Sequence, residues 1–151
     1  MTDKTRVFDD NLSTVFFIAI VYPLGPAAII LMPMLVGGVI DSYSFSEHQA
    51  GYIAALEGMG LVVSSLLAAL WVRKVSWVRA LFIFFIANAI INAVSANCTD
   101  FMSLLVARFF AGMTGGSIFA ITVTALGDNS HPDRAFGIAQ VVQGVMMFAA
   151  F

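Results

Sequence analysis

Five long runs of apolar residues divide this chain, and they limit its possible folds more than any other feature. The runs lie at 14–40, 47–72, 80–96, 101–127 and 135–151. Most approach or exceed the roughly 20 residues that an α-helix needs to cross a bilayer. Because lipid offers the backbone no hydrogen-bond partners, such runs fold as helices. The sequence therefore predicts an all-α, polytopic membrane helix bundle with five transmembrane helices.

The composition argues against a soluble domain. Of the 151 residues, 60% are hydrophobic and 11% are charged, whereas an ordinary soluble domain has roughly 25% charged residues. Too few polar side chains are present to cover a water-exposed surface. The net charge of −2 argues against a nucleic-acid partner. The first run is longer than the roughly 7–15 apolar residues of a signal peptide, so we expect it to stay in the mature protein.

Lysine and arginine residues predict the orientation of the helices. The six cations outside the apolar runs all lie in the N-terminal tail or in alternate connections: Lys4, Arg6, Arg73, Lys74, Arg79 and Arg134. The connections at 41–46 and 97–100 contain none. By the positive-inside rule, the tail at 1–13 is predicted to be cytoplasmic. The expected location is a bacterial inner or plasma membrane.

Two ionisable residues lie deep within the predicted spans. At 1.5 Å per residue, Arg108 lies about 10 Å and Glu57 about 15 Å from the same membrane surface. A lone charge at such depth costs roughly 2.5–3.5 kcal/mol on insertion scales. Two interpretations stay open at this point. The two residues line a solute or proton path, or they form a buried pair that only fixes packing.

Small residues predict where helices approach each other closely. Arg108 shares a face of the fourth helix with Gly112 and Gly115, and Gly112 and Gly116 form a GxxxG pair. A similar stripe in the second helix contains Gly60. Small side chains allow membrane helices to pack backbone to backbone. We therefore expect both charged faces to point at protein or at a wet cavity.

Prolines interrupt the first run. Pro23, Pro26 and Pro33 each remove a backbone donor and free an upstream carbonyl. A broken helix of this kind either lines a transport site or bends for packing alone, and both interpretations stay open. Tyr22, beside the break, is a candidate to offer its hydroxyl to a solute.

Four amides lie in the third and fifth runs. Asn88 and Asn92 stand one turn apart and are expected to form interhelical hydrogen bonds. Gln140 and Gln143 either line a cavity or pair with a neighbouring helix. Catalytic motifs such as HExxH, GxSxG and the Walker loop are absent, as is metal-ligand spacing. We therefore expect no enzyme activity, metal or cofactor.

The segment LLVARFFAGMTGG resembles the fourth-helix motif of the major facilitator superfamily. Leu104, Arg108 and Gly112 match its leucine, arginine and glycine at intervals of four. Ala111 stands in place of the usual glutamine, and Thr114 in place of a later glycine.

Two further segments are similar to the same family. HPDRAFGIAQ resembles the start of its fifth helix, with matches at Pro132, Arg134, Ala135 and Gly137. AALWVRKVSW lies where the family has a basic loop after helix two, and Leu70 and Arg73 fit that loop. Val72 and Val75 replace the family's aspartate and glycine.

The resemblance implies that the chain is most of the first half of a twelve-helix transporter, with five helices of an incomplete six-helix half. In that family, helices one and four line the solute path, and the helix-four arginine of proton-coupled members, here Arg108, is linked to coupling. Asp128 stands where the acidic partner at the cytoplasmic end of helix four would be. It is expected to pair with Arg73 or with Arg134.

The expected function is secondary active transport of a small solute by alternating access, coupled to protons. The expected solute and proton path contains Arg108, Glu57, Tyr22, Gln140 and Gln143. The expected partners are the solute, protons, the lipid bilayer and a missing C-terminal half of the same protein, because the fifth run ends at the last residue. The alternatives are a complete five-helix protein and a non-transporting membrane subunit whose buried charges bind partner helices.

Overall fold

The computed structural model describes residues 12–27, 31, 34, 37–38 and 45–150. Four residues used in the sequence analysis lie outside these ranges: Lys4, Arg6, Pro33 and Phe151.

The described residues include the α-helices α1 Leu12–Val21, α2 Glu47–Trp71, α3 Trp77–Ser95, α4 Phe101–Gly127 and α5 Pro132–Ala150. Two short 3-10 helices, Tyr22–Leu24 and Val72–Lys74, follow α1 and α2. No strand occurs within the ranges that the structure describes. The predicted all-α class is therefore confirmed.

Within the described ranges, three stretches of helix are long and apolar enough to cross a membrane: Glu47–Lys74, Trp77–Ser95 and Phe101–Gly127. An 18-residue window in each has a mean hydropathy of 2.0, 1.9 and 1.6, respectively. Large apolar side chains cover their outer faces, as shown by Leu66 at 70% and Phe82 at 68% exposure. Such faces are compatible with contact to lipid. The count of five transmembrane helices stays a prediction.

Short polar motifs begin two of the long helices, which start at the first residues of the predicted runs 47–72 and 101–127. At the start of α2, the Ser46 hydroxyl accepts a hydrogen bond from the Gln49 backbone N–H at 3.3 Å, and the Gln49 side chain accepts one from the Ser46 N–H at 3.0 Å. At the start of α4, Asp100 accepts from the Ser103 N–H at 3.1 Å. These caps satisfy N–H groups that a helix leaves free at its first turn.

Helix α4 lies at the centre of the bundle and packs against α1, α2, α3 and α5. It runs parallel to α2, because Ile53 near the start of α2 packs with Leu104 near the start of α4. Further along both helices, the Ser65 hydroxyl donates to the Gly116 carbonyl at 3.3 Å.

Helices α1 and α3 run antiparallel to α4. Leu81, early in α3, packs with Ile121, late in α4. Val15, early in α1, belongs to a cluster with Leu126 at the end of α4. Helices α1 and α3 therefore run opposite to α2 and α4, as expected when consecutive helices alternate in direction.

Glycines bring the α2 and α4 backbones together. A Cβ atom added at Gly60 would collide with the Phe109 carbonyl, and one added at Gly112 would collide with the Glu57 carbonyl. At Gly116, the added atom would collide with α2 as well. The predicted small-residue stripes therefore face each other across one close contact.

A second close contact joins the end of α1 to α4. A Cβ atom added at Gly25 would lie 2.8 Å from the Phe119 nitrogen and 2.9 Å from the Gly115 carbonyl oxygen. The α-helix of the first run ends at Val21, and Pro23 lies in the 3-10 turn that follows. Since Pro23 cannot donate to an upstream carbonyl, the backbone changes its winding here, and Gly25 brings the turn against α4.

Candidate functional site

Arg108 of α4 and Glu57 of α2 meet inside the bundle. The distance from Arg108 Nη1 to Glu57 Oε1 is 3.6 Å, and the two side chains are 10% and 4% exposed. The distance makes this an ion pair without a hydrogen bond. The two residues reach the same level because α2 and α4 run parallel.

Helix α3 also holds the Arg108 guanidinium. Arg108 Nη2 donates to Asn92 Oδ1 at 2.7 Å and to Ser95 Oγ at 2.5 Å. The Asn92 amide in turn donates to the backbone carbonyl of Asn88 at 2.9 Å and to the Asn88 side-chain carbonyl. Three helices therefore converge on one cation.

The structure refines the expectation for the two asparagines. Asn92 makes the interhelical hydrogen bond, whereas the described bonds of Asn88 stay within α3. Sequence analysis missed Ser95. The signal for it was spacing, because Asn88, Asn92 and Ser95 recur at i, i+4 and i+7 and so share one face of a helix.

Two polar atoms of the ion pair have no hydrogen-bond partner among the described residues. These are Oε2 of Glu57 and Nε of Arg108, and both atoms are buried. Nearly all buried polar atoms in native proteins have partners. The ion pair therefore contains one unpaired donor and one unpaired acceptor on neighbouring side chains.

A cavity of about 460 Å³ adjoins the ion pair. Its polar lining consists of Glu57, Asn88, Asn92 and Arg108, and most of the remaining lining is apolar. The broken end of the first run forms part of that wall, including Pro26. This volume and this mixture of a few polar groups with an apolar wall are typical of small-molecule sites.

The other expected path residues lie outside this cavity. The Gln140 amide donates to the Tyr22 hydroxyl at 3.2 Å, and Tyr22 is 7% exposed, with its ring 5.4 Å from that of Phe119. Gln143 lines a separate cavity of about 140 Å³ together with Pro23, and its buried Oε1 has no hydrogen-bond partner in the described ranges. Of the five expected residues, the structure thus brings only Arg108 and Glu57 together at the larger cavity.

A second ion pair joins the far ends of α2 and α4. Arg73 Nη2 lies 2.7 Å from Asp128 Oδ1, and the side chains are 58% and 13% exposed. Two cations were expected as partners of Asp128, and Arg73 is the one that pairs with it in the structure. Arg134 instead lines a small cavity with His131 and Val15.

Removing the Ser95 hydroxyl tests how firmly α3 holds the cation. Ser95→Ala takes away one of the two acceptors of Arg108 Nη2, so we expect the free energy of unfolding to fall by about 1–2 kcal/mol. Unfolding of the purified protein in lipid bicelles measures this. The matched control is Ser103→Ala, because Ser103 lies at an exposed helix start and its hydroxyl donates a hydrogen bond to the neighbouring cap residue Asp100. Equal losses in both variants would contradict a special role for Ser95.

No family model matches this chain, and comparison with curated proteins and with solved structures likewise gives no match.

Proposed function

We propose that this protein is a secondary active transporter of the major facilitator type. It moves a small solute across the inner or plasma membrane by alternating access, and proton movement drives it. The observation that carries the proposal is the buried pair of Arg108 and Glu57 at the edge of a cavity of about 460 Å³.

The cost of placing these charges in a membrane supports a functional role. A structural pair could be replaced by well-packed apolar side chains at little loss or even with a gain in stability. Ionisable residues inside membrane segments commonly mark paths for solutes or protons. Here the pair adjoins a cavity and keeps two unpaired polar atoms, whereas a purely structural pair would be expected to satisfy them.

The broken first helix supports the same proposal. Membrane transporters often build their sites from helices that lose regular winding at the level of the solute. In this chain the 3-10 turn at Tyr22–Leu24 interrupts the first run, and the residues after it line the cavity.

Glu57 is the proton carrier in this proposal. A proton on its carboxylate would remove the attraction to Arg108 and leave the guanidinium bound to α3 through Asn92 and Ser95. Gly112 of α4 packs directly on the Glu57 backbone of α2. Protonation of the Glu57 side chain therefore takes place at the contact between the two helices. Proton binding is thereby linked to the packing of the two helices.

Transport by the intact protein in proteoliposomes tests the proposal. A panel of small solutes is added while a dye reports the internal pH and labelled solute reports exchange. We expect solute-dependent proton movement in the wild type, and we expect Glu57→Gln to lose that proton movement. The matched control is Glu47→Gln, an exposed glutamate in the first turn of the same helix, which should behave like the wild type.

The alternative is a non-transporting membrane subunit, in which the hydrogen bonds of Arg108 to α3 serve packing alone. This alternative predicts no solute exchange and no proton movement for any member of the panel. Solute exchange without proton movement in the wild type would instead reject only the coupling to protons.

A further inference from the structure

The geometry points to a solute class: we infer that the cavity binds an uncharged molecule with an apolar body and a head group that both donates and accepts a hydrogen bond. The inference rests on the proposed function, since it names the kind of solute that the site would carry.

The charge of the site is already balanced. Arg108 and Glu57 form an ion pair, and they are the only ionisable side chains in the described lining. A charged solute would place an unpaired charge beside two side chains that are only 10% and 4% exposed, and burying an unpaired charge is strongly unfavourable. An uncharged solute leaves the balance unchanged.

The guanidinium is not free to bind an anion. A carboxylate or phosphate binds arginine best through two parallel N–H···O bonds. In Arg108, Nη2 already donates to both Asn92 and Ser95, and Nη1 lies toward Glu57. An anion that binds through two such bonds would have to displace at least one of these partners, so an anionic solute is disfavoured.

The polar side chains of the lining define the head group instead. Arg108 and the amides of Asn88 and Asn92 carry donors, and Glu57 and the same two amides carry acceptors. A head group with its own acceptor and donor, such as a carboxamide, can pair with both kinds of group. The apolar remainder of the lining, which includes Leu24, Leu31 and Leu61, suits an apolar body.

Three planar probes of nearly equal size test the inference. Benzamide is uncharged and both donates and accepts, benzoate is an anion that only accepts, and benzamidinium is a cation that only donates. Each is titrated against the intact protein in lipid nanodiscs, and the rise in unfolding temperature with concentration gives a dissociation constant. We expect benzamide to bind about tenfold or more tightly than either charged probe, a difference of about 1.4 kcal/mol.

A variant that removes the negative charge of the ion pair gives a second test. Glu57→Gln leaves the Arg108 cation without its counter-ion, so the preference should change from benzamide to benzoate. Glu47→Gln, the exposed control in the same helix, should keep the wild-type preference. If Glu57→Gln does not fold, the ranking of the three probes on the wild type still decides the matter.

Several outcomes would overturn the inference. They are equal binding of the three probes, tighter binding of a charged probe to the wild type, no binding of any probe, or the same change of preference in both glutamate variants. The inference and the proposed function fail separately. Tight benzamide binding without any transport would reject only the transporter, whereas proton-coupled transport without the predicted ranking would reject only the solute class.

Discussion

Arg108→Gln should lower the free energy of unfolding by about 3–5 kcal/mol, because removing one partner of a buried ion pair leaves the other charge uncompensated. In this protein the carboxylate left without a counter-ion is that of Glu57, whose side chain is 4% exposed. The same substitution also shortens the side chain, so the hydrogen bonds that Asn92 and Ser95 accept are weakened.

A second substitution distinguishes the cost of leaving Glu57 without a counter-ion from the cost of weakening the hydrogen bonds to α3. Glu57→Gln combined with Arg108→Gln removes both charges, so we expect the double variant to recover more than half of the loss. Unfolding of each protein in lipid bicelles gives the four free energies of a double-mutant cycle.

The control for a lost cation is Arg79→Gln, because Arg79 is exposed in the first turn of α3. Its expected change lies within about 0.5 kcal/mol. If Arg108→Gln lowers the free energy of unfolding by less than about 1 kcal/mol, the pair is not energetically buried, since a surface pair contributes no more than that.

Gly60→Ala should destabilise the contact between α2 and α4 by about 2–3 kcal/mol, the upper part of the range for overpacking. The added Cβ would collide with the Phe109 carbonyl and lie 3.0 Å from the Met113 nitrogen. Both atoms belong to the backbone of α4, so the collision can be relieved only if one whole helix shifts.

Gly58→Ala is the matched control, two residues earlier in the same helix. A Cβ atom there would have nothing within 4 Å. We expect a neutral effect or a gain of up to about 1 kcal/mol, because alanine favours a helix more than glycine does. The comparison uses the same bicelle unfolding, and equal effects of the two substitutions would show that the helices do not touch where the structure places them.

The helices and their ends follow from local features of the sequence. Ser46 with Gln49, and Asp100 with the Ser103 N–H, satisfy free N–H groups at helix starts, and such caps depend only on neighbours in the chain. The level of Arg108 relative to Glu57 could also be anticipated, since depth in a membrane helix follows from the number of residues.

The rotation of α1 and α5 about their axes could not be read from the sequence. Gln140 and Tyr22 pair with each other because α1 and α5 pack side by side, and this packing places both outside the larger cavity. Asp128 was expected to meet either of two cations, and the parallel course of α2 and α4 selects Arg73. Such choices depend on contacts between distant segments, which single-sequence patterns do not encode.

The contact between Glu57 and Arg108 has a consequence for how the protein is made. Ribosomes add about 5–20 residues per second, so the guanidinium is synthesised roughly 3–10 s after the carboxylate to which it will bind. During that interval α2 has to enter the bilayer with its acid neutralised by a proton or kept in contact with water or with the insertion machinery. Once α4 has emerged, Arg108 can pair with Glu57. Insertion of the fourth helix is therefore the step that commits the nascent bundle to its final arrangement.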